Sequence, residues 1–308
     1  MEIKLADFSH RQELLELWRE AFGDSEDYIL SFLNGYFIPE YNAPVAVFDG
    51  KIISALYLVE FELYSGRSPI GTCAYLFAAA TRAEYRGQGY MGHLIEYAAE
   101  LYKNRGISAI FLFPQENAGK LFDYYAKFGF LPLYQTKKIS VQKHMRDIDL
   151  TGFRLMDRRL DDTEMFDRLY AAYAEFTAKQ HLSPLKDRLF YFKCASSYLD
   201  SPESHFAVLE CGKNNNVKEF CYVFYRKFGN NYYIDDIIIT ECAEYDKSAA
   251  FLTEIMLKLG DDINIEMNVL PENFSEHKLA MILPLTETVE AVIKKLDKPV
   301  YLNMFMNI

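Results

Sequence analysis

The stretch CAYLFAAATRAEYRGQGYMG, Cys73 to Gly92, decides how the rest of the chain is read. From Cys73 to Thr81 it is apolar and uncharged, with a single phenol, as a strand buried on both faces is. Polar or small residues follow from Arg82 to Arg86, and then come Gly87, Gly89 and Gly92. Past them, Met91, Leu94, Ile95, Ala98 and Leu101 fall on one stripe of a helix. A strand, a glycine turn and a helix start, in that order, aim several free backbone N–H groups and the positive end of a helix dipole at one point. That arrangement is an anion site, and most naturally a phosphate site.

Two phosphate readings compete. Gly87 to Gly92 spells G-x-G-x-x-G, and Glu116 lies downstream where a ribose hydroxyl would need a carboxylate. A dinucleotide turn, however, comes directly after its strand, whereas the charged Arg82, Glu84 and Arg86 intervene here. A kinase-type loop fails because the chain has no H-R-D or D-F-G beyond it. The other reading starts from R-G-Q-G-Y-M-G, which resembles the acetyl-CoA pyrophosphate loop of the GNAT acyltransferase superfamily, Q/R-x-x-G-x-G/A after a strand. Arg86 and Gly89 match; Met91 stands where Gly or Ala is usual, a departure that resembles the enhanced-intracellular-survival branch. A second mark, Tyr125-Ala126-Lys127-Phe128-Gly129-Phe130, is similar to the Y-x-K-x-G-F ending of the helix after the fifth strand. The resemblance is specific from about Lys4 to Gln142.

The resemblance implies an α/β (α+β) GNAT fold, with a mixed, mostly antiparallel central sheet flanked by helices. It implies acetyl-CoA as cosubstrate, its pyrophosphate on Arg86, Gly87, Gln88, Gly89, Tyr90, Met91 and Gly92, with Arg82 beside the loop. Pantetheine would lie along Ala79, Ala80 and Thr81 as a pseudo-strand, and a backbone N–H near Ala79 or Ala80 would hold the oxyanion. Tyr125 falls at the family's general acid, while Tyr124 reads as packing or an adenine-side contact. The asparagine often found seven residues earlier falls at Ala118, with Asn117 one place off.

The attacking amine must be neutral, and for a lysine-like ammonium of pKa about 10.4 that costs roughly 4–5 kcal/mol at neutral pH. The family's usual base, a carboxylate on the central strand, has no counterpart between Cys73 and Thr81. Glu60 and Glu62 on the preceding strand are the nearest carboxylates in order. In the branch it resembles, the chain's terminal carboxylate takes this role, which here is Ile308 behind the apolar Val300 to Phe305. Asp24, Glu26, Asp27, Asp235 and Asp236 are candidates for an acidic acceptor lining. Nothing beside Cys73 would lower a thiol pKa, so a covalent acetyl-cysteine is disfavoured.

Composition bounds the rest. The 308 residues suffice for two domains, and half of them are apolar. A formal charge of −11 argues against nucleic acid or an anionic membrane as partner and fits a cationic substrate. The five cysteines have no zinc-like spacing, so no metal is expected. No secretory signal or membrane-spanning run is evident, which points to the cytoplasm.

Around Leu150 the pattern restarts. Phe153 to Asp157 echoes Ile3 to Asp7, Glu164 to Leu169 echoes Glu13 to Leu17, and Phe206 to Gly212 parallels Pro44 to Gly50. This reads as a divergent repeat, with a catalytic domain over 1–145 and a degenerate GNAT-like domain over 146–308. The second copy has no anion loop: Glu241 to Lys247 holds three carboxylates and no glycine. Its expected work is to wall the acceptor site or to hold subunits of a homo-oligomer together. The sequence therefore points to a cytoplasmic N-acetyltransferase acting on an amine, with an acyl-CoA sensor as the competing class and a dinucleotide oxidoreductase behind both.

Overall fold

A computed structural model describes residues 1–35, 42–114, 119–135, 137–142, 153–160, 162–213, 216–229, 231–240, 262–267, 277–296 and 300. The chain divides into two compact units. One comprises Met1–Leu63, Ile70–Leu133 and Ala280–Lys295; the other Tyr64–Pro69, Tyr134–Leu279 and Leu296–Ile308. A late segment, Ala280–Lys295, thus groups with the first unit.

The first unit is built on a mixed sheet. Strand β1 (Glu2–Leu5) pairs antiparallel with β2 (Pro44–Phe48), which pairs with β3 (Lys51–Ser65), followed by β4 (Ser68–Thr81) and β5 (Ala109–Leu112). The Asp49-Gly50 turn between β2 and β3 carries two positive φ values, 48° and 73°, as a two-residue hairpin loop of this hand requires. Helix α1 (Arg11–Phe22) buries Leu14, Leu15, Leu17 and Trp18 and ends at Gly23 in the left-handed region. The chain enters α1 through a 3-10 turn capped by Asp7, whose carboxylate accepts from the Ser9 N–H at 2.8 Å. Helix α2 (Glu26–Gly35) starts at Ser25, as its hydroxyl and carbonyl bonds to Tyr28 and Ile29 show. Helix α3 (Tyr90–Asn104) covers the other face of the sheet with Leu94, Ile95, Ala98 and Tyr102, and α4 (Gly119–Ala126) comes after β5.

After α4 two strands follow. Strand β6 (Leu131–Gln135) belongs to the first sheet, and β7 (Lys137–Gln142) pairs antiparallel with β13 (Asp262–Met267) at the edge of the second. In exchange, β14 (His277–Pro284) enters the first sheet between β5 and β6, antiparallel to β5, with Ala280, Met281 and Ile282 buried. Helix α7 (Glu287–Ile293), capped by Thr286, comes next in the first unit. Each half thus closes the other's sheet, and sequence pattern alone gives no sign of which sheet a short apolar strand will join.

The second unit repeats the strand plan. Its sheet runs β8 (Phe153–Asp157), β10 (Ser204–Lys213), β11 (Asn216–Phe228), β12 (Asn231–Ile239), β13 and β7. Successive pairs are antiparallel until β12 and β13, which are parallel, as β4 and β5 are. The expected repeat is therefore visible in the order and sense of the strands. Helices α5 (Thr163–Lys179) and α6 (Arg188–Leu199) are capped by Asp162 and Asp187, and the short β9 (Ser183–Leu185) lies between them in sequence. Lys186 is fully buried in this unit; burial pulls its ammonium down to about 8 against the favourable fields of Cys194 and Asp236.

Burial also holds the phenols of Tyr57, Tyr102 and Tyr173 well above their ordinary value, and pushes Tyr125 up to about 12. A phenol raised on folding contributes stability that is fully present below its unfolded value near 10 and is lost as pH rises through the folded value. An alkaline titration read by phenolate absorbance and circular dichroism should show exposed tyrosines ionising near pH 10 with the fold intact. A second class should ionise only together with unfolding, at about pH 12. One smooth phase near pH 10 with helicity unchanged would contradict this burial.

Candidate active site

The site lies where β4 leaves β5. Their parallel register runs from Cys73–Ala109 through Ala74–Ile110 to Tyr75–Phe111, and β5 stops at Leu112. Three residues past the last pair, Ala78 has a φ of 45°, in the left-handed region that a non-glycine residue rarely occupies. Such a residue inside a strand makes a bulge, at a cost of about 1–3 kcal/mol, and re-aims the residues beyond it. The run expected to be buried on both faces is instead half-exposed at Tyr75, Ala78, Ala79 and Thr81.

The opposite edge of β4 is fastened to β3. The Ser54 hydroxyl donates to the Ala80 carbonyl at 2.9 Å and lies 2.8 Å from the Thr81 hydroxyl. The Arg82 N–H donates to the Ile53 carbonyl and its Nε to the Ile52 carbonyl, both at 2.9 Å. Ladder edges alternate along a strand, so Ala80 and Arg82 face β3 while Ala79 and Thr81 face the opening. The Thr81 carbonyl accordingly accepts from Arg86 Nε at 2.9 Å. Of the two alanines expected to serve the oxyanion, Ala79 therefore presents its backbone edge to the opening, and Ala80 is turned away from it.

The glycine turn begins with a 3-10 turn, Ala83–Tyr85, and an extended Arg86. Gly87 and Gly89 then take φ values of 76° and 87°, and Gly89 occupies the N-cap of α3 with no side chain capping the helix. The first N–H groups of α3, at Tyr90, Met91 and Gly92, thus lack an intrahelical acceptor and point into the turn. A Cβ on Gly87 or Gly89 would meet nothing within 4 Å, so the space above the turn is open. The side chain of Gln88 folds back on the Glu84 carbonyl at 3.1 Å. A conformation only glycine favours, open space and uncapped donors together fit a diphosphate. Gly92 has another task. A Cβ there would lie 2.9 Å from the ring of Phe128, so the lack of a side chain lets α3 pack on the segment after α4, while the Gly92 N–H stays among the uncapped donors.

Arg82 is not free to meet phosphates as expected. Its guanidinium lies 2.9 Å from the Glu20 carboxylate, which also accepts from the Ala83 N–H at 3.2 Å. Arg86, bonded through Nε to the Thr81 carbonyl, makes no ion pair among the described residues. Tyr125 lies on α4, nearly buried, its ring 5.8 Å from Phe130 and 5.4 Å from Tyr124. Burial, with a smaller push from Tyr124, raises its phenol to about 12. One apolar cluster gathers Tyr125 with Ala79, Tyr90, Met91 and Tyr124, so the motifs read some forty residues apart in sequence do converge.

The proposed carboxylates fare worse. Glu60 and Glu62 are exposed, and the charge of Glu60 is felt by Tyr102, about three turns along α3 from the glycine turn. Asp24 accepts from Trp18 Nε1 at 2.8 Å, and Glu26 lies 3.5 Å from Arg19. Asp235 is taken by Arg226 at 2.6 and 2.7 Å and by the Tyr198 hydroxyl, and Asp236 is buried. Glu116, Asn117, Ala118, Tyr301 to Ile308 and the second copy's Glu241 to Lys247 lie outside the described residues. Cys73 is buried with its thiol pushed up and directed to the Phe61 carbonyl, which suits no nucleophile. Among the described residues no group of side chains could hold a metal ion, and no helix is long and apolar enough to cross a membrane.

Comparison with known proteins agrees with this geometry. Residues 2–133 match the family model described as an acetyltransferase (GNAT) domain. No curated protein matches the sequence significantly. Among solved structures, a conserved protein of unknown function from Enterococcus faecalis V583, described as a probable N-acyltransferase, has a TM-score of 0.75 at 12% identity, over 94% of this chain and 73% of that one. Eis1 from Mycobacterium abscessus gives 0.66 at 13% identity, covering 92% and 74%. A tandem GNAT protein from the clavulanic acid biosynthesis pathway gives 0.53 at 11%, covering 92% and 98%. At such identities the likeness is one of fold, the GNAT fold, and it extends over both halves of the chain.

Packing at Gly92 yields a separable expectation. Gly92→Ala should lower stability by about 1–3 kcal/mol through the Phe128 clash, read as a lower denaturant midpoint. Gly87→Ala should cost about 1 kcal/mol, from backbone strain alone. Equal stability of Gly92→Ala and the parent would remove the packing role.

Proposed function

We propose that the chain is an N-acetyltransferase that moves an acetyl group from acetyl-CoA to a primary amine by direct attack within a ternary complex. The observation that carries this reading is the open, uncapped glycine turn beside a strand bulged away from its neighbour. The turn supplies N–H donors for the diphosphate, and the Ala79 and Thr81 edge supplies a partner for pantetheine. Bound so, the thioester carbonyl would reach the re-aimed backbone at Ala79, whose N–H serves the oxyanion as charge develops.

The amine nitrogen attacks the thioester carbon, the tetrahedral adduct forms, and the C–S bond breaks. One proton must leave nitrogen and one must reach sulfur. Tyr125 is the donor to sulfur. A phenol at about 12 stays protonated throughout the working pH range. Its complete transfer to a thiolate of pKa near 8.5 is uphill by roughly 5 kcal/mol. Tyr125 therefore works as a hydrogen-bond donor while the C–S bond stretches, and its proton crosses only as the proton released from nitrogen replaces it. With no carboxylate on β4, that proton departs through water.

Thermal melts and thiol release test the reading. Acetyl-CoA should raise the melting temperature where NAD(H) does not, and free thiol should appear with an amine. Tyr125→Phe should lower kcat about 10²-fold or more with little change in acetyl-CoA affinity. Stabilisation by acetyl-CoA without thiol release across amines of varied class would instead favour a sensor. An unaffected rate in Tyr125→Phe would dismiss this tyrosine as the acid.

A further inference from the structure

Beside the bulge, one face of the first sheet is walled by aromatic rings. Tyr75 on β4 lies nearly parallel to Phe111 on β5, centroids 5.2 Å apart and planes 14° apart, and stacks on Phe77 at 5.4 Å. Phe113, just past β5, meets Tyr75 edge-on at 5.7 Å. Phe77 continues the wall to Phe32 of α2 at 4.6 Å and to Trp18 of α1 at 6.0 Å. The inner rings, Trp18, Tyr57, Phe77 and Phe111, are buried, whereas Tyr28, Phe32, Tyr75 and Phe113 are only half-buried. The outer rings are thus an accessible surface on a rigid backing. The Tyr75 phenol, raised chiefly by burial, also feels Tyr28 and Tyr125, so the wall adjoins the proposed acid.

From this juxtaposition we infer that the acceptor is an arylalkylamine, its ring received against the half-buried rings of Tyr75 and Phe113 and its amine directed to the Ala79 edge. The inference rests on the acyltransferase reading and narrows its substrate class. Three features converge on it. The rings offer flat apolar faces for stacking. Of the carboxylates first considered for an acidic lining, Asp24 is engaged by Trp18, Glu26 by Arg19 and Asp235 by Arg226, while Asp27 stays exposed. A polycation would find one uncommitted carboxylate among them, Asp27. Finally, β4 carries no base, and an aromatic enclosure disfavours the ammonium form by desolvation, lowering the amine's pKa toward the reactive neutral state.

Trp18 is the only tryptophan and belongs to this aromatic cluster, so its fluorescence reports binding without turnover. The full chain, with coenzyme A present, should bind 2-phenylethylamine at least 10-fold more tightly than n-butylamine or spermidine. Tyr75→Leu should weaken that binding about 10-fold or more, Tyr75→Phe less than about 3-fold, with coenzyme A affinity unchanged in both. Should Tyr75→Leu fail to fold, Phe113→Leu carries the same expectation. Equal affinity for the three amines, or indifference of 2-phenylethylamine to loss of either ring, overturns the inference. Selective ring-dependent binding with no thiol release from acetyl-CoA would sink the acyltransferase reading and leave the arylalkylamine site standing.

Discussion

The loss of pairing between β4 and β5 is the constraint on which the rest of the first unit depends. The pairing lasts only as long as β5, which stops one residue past Phe111, and each N–H or C=O of β4 beyond that point needs another partner. Here β4 is bulged at Ala78 and held from behind by Ser54 and by the backbone and guanidinium of Arg82. The strain is confined to one small residue, and the bonds to β3 keep the end of the strand from collapsing back. The result is a strand edge left open at Ala79 and Thr81, next to helix donors left open at α3. Neither would persist in water-filled space without the other elements fixing its direction.

Charge around this opening is arranged indirectly. Arg82 stands at the place where a phosphate-binding arginine would be sought, yet Glu20 neutralises it and fixes it to the 3-10 turn. The turn's shape, and with it the direction of the α3 N–H groups, is set by that ion pair, while the backbone dipoles supply the attraction for an anion. Arg86, anchored through Nε to Thr81, couples the turn to the strand edge.

Much of this is legible in the chain. The apolar run to Thr81, the glycines, the helix stripe and the Tyr125 segment mark the site by themselves, because each rests on local rules of burial and backbone freedom. The positive φ of Ala78 is not legible, since nothing in three consecutive alanines marks which one carries a bulge. The packing need for a glycine at 92 is not legible either, since it comes from Phe128, distant in sequence. The engagement of the acidic candidates is not legible either: Asp24 and Asp235 have partners and Asp236 is buried, while Asp27 stays exposed. The exchange of β7 and β14 is equally hidden, as both are short strands compatible with either sheet.

The two units show how one strand plan can be turned to opposite ends. In the first, polar side chains hold a backbone edge open: Ser54, Glu20, Arg82 and Arg86 bond to main chain around the bulge. In the second, polar groups are spent on one another, with Asp235 shared by Arg226 and Tyr198, and Lys186 buried in the field of Asp236. A buried ammonium of this kind adds little net stability but is costly to disturb, because removing a partner leaves a charge without compensation. Strain at a non-glycine residue is present in both units, at Ala78 in the first and at Leu182 in the second, so what sets the first unit apart is an open strand edge beside uncapped helix donors.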